Sequence, residues 1–265
     1  MSITTKTWGA ALLVGLLSVV FLYSDILRSP SEHIFTSSGD GMKSYYSFLY
    51  HIKHDSTYAH FEGMNYPYGD LFQFADGNLP LANTLKFIGV LNPEQSALAI
   101  YNLSMIFSLA FGVLLLSLIF INLGINGWMN VLFSLAIMLM NPQLIRLTGH
   151  LNLSYSWVIP AYILFYLNYR TARHSVRNVV VLALMTFVLL WIHPYLAIIP
   201  SGLILIALGF DLLYALNRKK RRTILSLRCL QPYFLLFCIW AGLKQWTLLL
   251  DAVQDPLASL NIEQK

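Results

Sequence analysis

Residues 97–121 read ALAIYNLSMIFSLAFGVLLLSLIFI, a run without a single charged side chain. As a helix it would be roughly 37 Å long, enough to cross a hydrocarbon core of about 30 Å. The apolar residues are continuous rather than alternating, which excludes a strand of a β-barrel. Working outward from this run, comparable stretches recur at about Trp8–Ile26, Trp128–Leu144, Leu151–Tyr169, Val179–Ile192, Leu196–Leu216 and Leu230–Leu250. The pattern predicts an all-α integral membrane protein with seven transmembrane helices, one domain over residues 1–265. Composition agrees: 57% of residues are hydrophobic, 11% are charged, and the mean hydropathy is +0.62. A soluble domain of this size needs far more charge to cover its surface.

The first run follows a short N-terminus carrying Lys6. It is long for a secretory signal, and no small-x-small cleavage site follows in Tyr23-Ser24-Asp25-Ile26-Leu27-Arg28. It therefore reads as an uncleaved first helix. Cys229 and Cys238 share the last run, roughly 13 Å apart on a helix, too far for a disulfide. They read as packing residues.

Basic residues set the orientation. Loop 170–178 holds Arg170, Arg173 and Arg177; loop 217–228 holds Arg218, Lys219, Lys220, Arg221, Arg222 and Arg228. With seven spans both loops fall on the side of Lys6, which makes that side cytoplasmic. The net charge of +5 is thus an orientation signal, not a nucleic-acid footprint. The acids test the assignment independently. Of 12 Asp and Glu, only Asp211 lies toward the cytoplasmic end, and six of the seven histidines are outside. Acid–base chemistry would face outward.

The long outer loop, residues 28–95, holds most of these groups. Gly39-Asp40-Gly41 reads as a turn presenting one carboxylate between residues without side-chain bulk, where a substrate can approach. Alternatively, Asp-Gly simply makes the turn. Residues 42–54 suit a helix whose Tyr45, Phe48, Leu49 and Ile52 form one stripe, lying on the membrane surface with its aromatic side down. Asn65 to Asp70 is a second turn cluster. Asp70 and Asp76 could position an acceptor sugar, hold a divalent cation, or cap the loop. His51 and His54 stand at i, i+3, but no third ligand has a telling spacing, so no metal site is assigned.

The other outer elbows carry cations. Arg146 and His150 flank the fourth span, His193-Pro194 ends the fifth, and Lys244 lies about 9 Å inside the outer end of the seventh. A lysine at that depth snorkels or meets an anion in a cavity. Arg146, His150, His193 and Lys244 could converge on a phosphate; the alternative is interfacial anchoring. Tyr155 and Trp157 read as interface or packing residues.

The order of these features resembles the GT-C superfamily of membrane glycosyltransferases. The likeness rests on a large first outer loop with an acid soon after the first helix, Gly39-Asp40-Gly41. It also rests on two amphipathic stretches in that loop, about Lys43–His54 and Leu79–Leu91. Tyr66-Pro67-Tyr68-Gly69-Asp70, the Gly149-His150 elbow and His193-Pro194-Tyr195 are similar to bacterial members. The resemblance implies a polyprenyl-phosphate-linked sugar donor and a glycan, lipid or protein acceptor on the outer face of a bacterial plasma membrane. It implies no organic cofactor, and it places the general base on Asp40. Many members continue with more helices and an outer domain, whereas this chain stops at Lys265, as a minimal module or a truncated or split member would. Two other classes compete: a non-catalytic partner in polysaccharide assembly or export, and a transporter or lipid flippase. The latter expects ionisable or broken-helix sites at the midplane, which this sequence nearly lacks.

Overall fold

A computed structural model of the chain describes residues 3–89, 93–171 and 176–217. Four described helices are long and apolar enough to cross a membrane: Thr4–Leu22, Gln95–Asn122, Trp128–Thr148 and Pro194–Asp211. Arg177–Ile192 is a shorter apolar helix. The chain is thus a helical membrane protein. The seventh expected span, with Lys244, lies outside the described residues.

The first helix, α1 (Ile3–Leu22), is followed by a short α2 (Ser24–Arg28). The long loop after α2 then supplies α3 (Gly39–Lys53), strands β1 (His60–Phe61) and β2 (Asp70–Leu71), a 3-10 turn over Phe72–Ala75, and α4 (Leu79–Ile88). The strands pair antiparallel, His60 with Leu71 and Phe61 with Asp70. Beyond the loop come α5 (Pro93–Asn122), α6 (Trp128–Leu139), 3-10 turns at Pro142–Thr148 and Leu151–Leu153, then α7 (Val158–Thr171), α8 (Val176–Ile192) and α9 (Pro194–Asn217). The decisive run of the sequence is the spine: α5 packs on α1, α6 and α7 and reaches α3 and α4.

Two expectations change. The stripe of α3 exists, but protein rather than lipid covers it. Tyr45 and Phe48 are buried, and Phe48 stacks on Tyr101 of α5 with ring centroids 4.4 Å apart. An aromatic face on the loop helix has a ready partner in the top of α5, so α3 is docked on the bundle. The second change concerns the helix expected from Leu151, which begins only at Val158. Asn152, Ser154 and Ser156 are buried here; Asn152 and Ser156 bond across the fold to Asp76 and Ser108, and Ser154 bonds to the Leu151 carbonyl. Such short polar side chains compete with helical hydrogen bonding, and the segment is an elbow instead.

Near the C-terminal end of α9, Asp211 is accounted for. Its carboxylate lies 3.4 Å from the Arg170 guanidinium and accepts a 2.9 Å hydrogen bond from the Tyr166 hydroxyl, tying α7 to α9.

Candidate functional site

Asp40 sits in the first turn of α3, not in a free turn ahead of it. A negative charge is favoured there, because the helix dipole presents its positive end. The residue after it, Gly41, lies against the elbow: a Cβ at that position would meet the Gly149 carbonyl oxygen at 3.1 Å and Thr36 at 2.1 Å. This close approach brings Asp40 to the next residue of the elbow. Asp40 Oδ2 lies 3.4 Å from His150 Nδ1, with the two side chains 62% and 45% exposed respectively. Two residues singled out from sequence, far apart in the chain, thus form one half-exposed carboxylate–imidazole pair.

Asp76 lies next to this pair but is differently employed. It caps the 3-10 turn with φ of +58°, a conformation Asp tolerates better than most residues. Its Oδ2 accepts from Ser44 Oγ at 3.1 Å and its Oδ1 from Asn152 Nδ2 at 3.0 Å. Asp70 is taken up in its own turn. It accepts from Asn65 Nδ2 at 2.9 Å and from the Leu71 backbone N–H at 2.7 Å.

Arg146 faces another way. The Gly149 and His150 N–H groups both donate to its carbonyl, so Arg146 and His150 share one turn. The Arg146 side chain lines a cavity of about 220 Å3 with Gln143, Val158, Tyr195, Leu196 and Pro200 among its walls. Pro200 stands inside α9 and cannot donate to the Leu196 carbonyl. No carboxylate pairs with Arg146 among the described residues. His193 does not line the cavity; its Nδ1 accepts from the Tyr195 N–H at 3.2 Å, fixing the start of α9. The 193–195 break therefore reaches the cavity through Tyr195. Lys244 lies outside the described residues.

The histidine pair of α3 resolves differently from its spacing. His51 is fully buried between Asp55 (Nδ1 to Oδ2, 2.5 Å) and Asn83 (Nε2 to Oδ1, 2.9 Å), while His54 packs on the Tyr50 ring. Among the described residues no three His, Cys, Asp or Glu side chains are grouped to hold a metal ion.

Several hydrogen bonds that hold the site gave no sequence signal of their own. Tyr101 donates to Asn152 Oδ1 at 2.8 Å, and Asn78 donates to the Tyr155 hydroxyl at 2.7 Å. Tyr45 donates to Asn102 Oδ1 at 2.7 Å. Burial pushes the Tyr45 hydroxyl up to about 12, against a smaller opposing effect of the Phe35 N–H, so it serves as a neutral donor. Asn102 in turn donates to the Pro30 and His33 carbonyls, anchoring the start of the loop. A larger groove of about 530 Å3 lies between α1 and α6; apart from Lys6 its lining carries no ionisable group.

These elements define a helical membrane protein whose clustered acid–base side chains belong to its first long loop and the elbow after α6. The chain belongs to the family described as a domain of unknown function, DUF6311, whose model matches residues 11–251. No curated protein and no solved structure matches the chain.

Proposed function

We propose that this chain is a membrane glycosyltransferase of the GT-C kind. It would move a sugar from a polyprenyl-phosphate donor to a hydroxyl of a glycan, lipid or protein acceptor on the outer face. The observation that carries the reading is the Asp40–His150 pair, a carboxylate and an imidazole 3.4 Å apart and open to solvent. In this reading the chain crosses a bacterial plasma membrane seven times, with its N-terminus cytoplasmic and loop 28–95 outside. By itself α7 is only about 21 Å long. The elbow before it completes the crossing, since irregular backbone is tolerated at membrane depth where protein buries it, and Leu151, Asn152 and Ser154–Ser156 are buried.

The chemistry is a single displacement. The acceptor oxygen bonds to the anomeric carbon as the bond from that carbon to the phosphate oxygen breaks. The hydroxyl proton passes to Asp40, and the lipid phosphate leaves as an anion. His150 holds the Asp40 carboxylate in place. Arg146, one turn from His150 and facing the mainly apolar cavity, supplies positive charge to the departing phosphate while the lipid chain lies against Val158, Leu196 and Pro200. Asp70, whose two oxygens accept from Asn65 and the Leu71 N–H, shapes the turn of the loop and is not assigned to the acceptor.

The test is sugar transfer in membranes from labelled polyprenyl-phosphate sugar, with and without Asp40→Asn. Loss of a positioned general base lowers the rate by about 10²–10⁴-fold. Folded Asp40→Asn protein that transfers at the parent rate would overturn the base role and favour the partner-only reading.

A further inference from the structure

Asp76 joins two elements that also meet at the close approach of Gly41 to Gly149 and at the Asp40–His150 pair. From α3 it receives the Ser44 hydroxyl at 3.1 Å, whose single proton is shared with the Asp40 carbonyl one helical turn back at 2.9 Å. From the elbow it receives the Asn152 amide at 3.0 Å on its carboxylate and at 2.7 Å on its own carbonyl. Asn152 is two residues beyond His150, is fully buried, and is fixed from behind by the Tyr101 hydroxyl of α5. A second tie, from Ser47 Oγ to the Ala75 carbonyl at 2.7 Å, holds the same turn against α3. Each oxygen of the Asp76 carboxylate is therefore committed to a different element. Bonds to a carboxylate are roughly twice as strong as neutral ones, and one group bridging two elements fixes their separation.

We infer that Asp76 is a positioning residue: it staples the helix that carries Asp40 to the elbow that carries His150, and so sets the approach of the two groups. The inference takes its catalytic meaning from the reading of Asp40 above, but its test needs no activity. Cysteines replace both members of the pair, Asp40→Cys and His150→Cys, in a background carrying Cys229→Ser and Cys238→Ser. The yield of a short bis-thiosulfonate cross-link then reports how the staple alone holds the two backbones.

Asn152→Asp sets a second carboxylate against that of Asp76. The cross-link yield in purified, monodisperse protein should fall roughly tenfold, the size of coupling expected within one hydrogen-bond network. Adding Asp76→Asn should restore part of it. The new amide donates to the carboxylate of Asn152→Asp and its oxygen still accepts from Ser44, while an amide side chain tolerates the left-handed backbone at position 76; the bond that Asn152 gave to the main-chain carbonyl of residue 76 stays lost. A yield unchanged by Asn152→Asp, or a loss that Asp76→Asn does not lessen, overturns the inference. Should Asn152→Asp fail to fold, Ser44→Ala removes one arm of the staple and is read the same way: a several-fold drop supports it, parent yield overturns it. In membranes with native Asp40 and His150, the same exchange should lower and then partly restore kcat with the donor KM held. If cross-linking follows the exchange while transfer ignores Asp40, the staple stands and the glycosyltransfer reading falls.

Discussion

Helix α3 carries an aspartate–histidine pair at each end, and the two pairs are opposites. At the C-terminal end, His51 and Asp55 are fully buried and 2.5 Å apart. The other ring nitrogen of His51 faces Asn83 Oδ1, and the Asn83 amide is oriented by donation to the Tyr58 carbonyl at 2.8 Å. The second Asp55 oxygen accepts the Glu62 N–H at 3.0 Å. Every polar atom there is committed. At the N-terminal end, Asp40 and His150 are 3.4 Å apart and about half exposed. The carboxylate keeps lone pairs open to whatever enters from outside. The same two residue types thus make architecture when all their hydrogen-bonding capacity is used internally, and a site for chemistry when part of it is left to solvent and substrate.

The comparison is broken most forcefully at the buried pair. His51→Ala leaves the Asp55 carboxylate buried without its partner, which costs about 3–5 kcal/mol. Denaturation in detergent micelles should register that loss, together with early proteolysis of loop 28–95. A cost below about 1 kcal/mol would place His51–Asp55 with exposed pairs and erase the distinction. Asn83→Ala sharpens the comparison with a smaller expected effect. It leaves the imidazole–carboxylate contact intact but strips partners from His51 Nε2 and the Tyr58 carbonyl, for about 1–3 kcal/mol. Lys86 sits over this corner, donating to the Asp55 and Thr57 carbonyls. Burial lowers its pKa, only partly offset by the nearby Asp55 and Glu62 charges.

The contrast between the pairs also separates what could be read in the sequence from what could not. The apolar runs declare the described spans because length and continuity are local properties. Asp40 and His150 could be singled out for the same reason, one by its flanking glycines, the other by its place in a polar elbow. What joins them is not local. Asp76 meets Asn152, Asn78 meets Tyr155 and Tyr45 meets Asn102 across separations of 76, 77 and 57 residues, and no spacing rule reaches that far. His51 stands out only for its i, i+3 spacing to His54, which is too little to assign a metal site; its partner is Asp55, one helical turn on. The alternating Asn152, Ser154 and Ser156 did hold a readable warning that the helix from Leu151 would break, outweighed by the apolar residues between them. At the last elbow, His193 drew notice for its chemistry, but the side chain that reaches the cavity is Tyr195.

The smallest expected stability change lies at the exposed pair, and it decides whether the contrast is sound. Asp40 and His150 are half solvated, so their attraction is screened and offset by the entropy of holding two side chains together. His150→Ala should therefore shift unfolding in detergent by less than about 1 kcal/mol, against the several expected at His51. Its effect on transfer should be larger than its effect on stability. In the proposed reaction the imidazole holds the carboxylate near its productive orientation, and loss of orientation alone can cost up to about 10²-fold. The double variant Asp40→Asn/His150→Ala then completes the argument. If His150 acts only through Asp40, removing it after Asp40 is gone lowers residual transfer no further, and the two effects are strongly non-additive. Additive losses would mean that His150 contacts substrate by itself, making the pair two independent groups that happen to lie close together. A stability loss at His150 equal to that at His51 would be more damaging: the exposed pair would then be a structural clamp like the buried one, and α3 would have no chemical end.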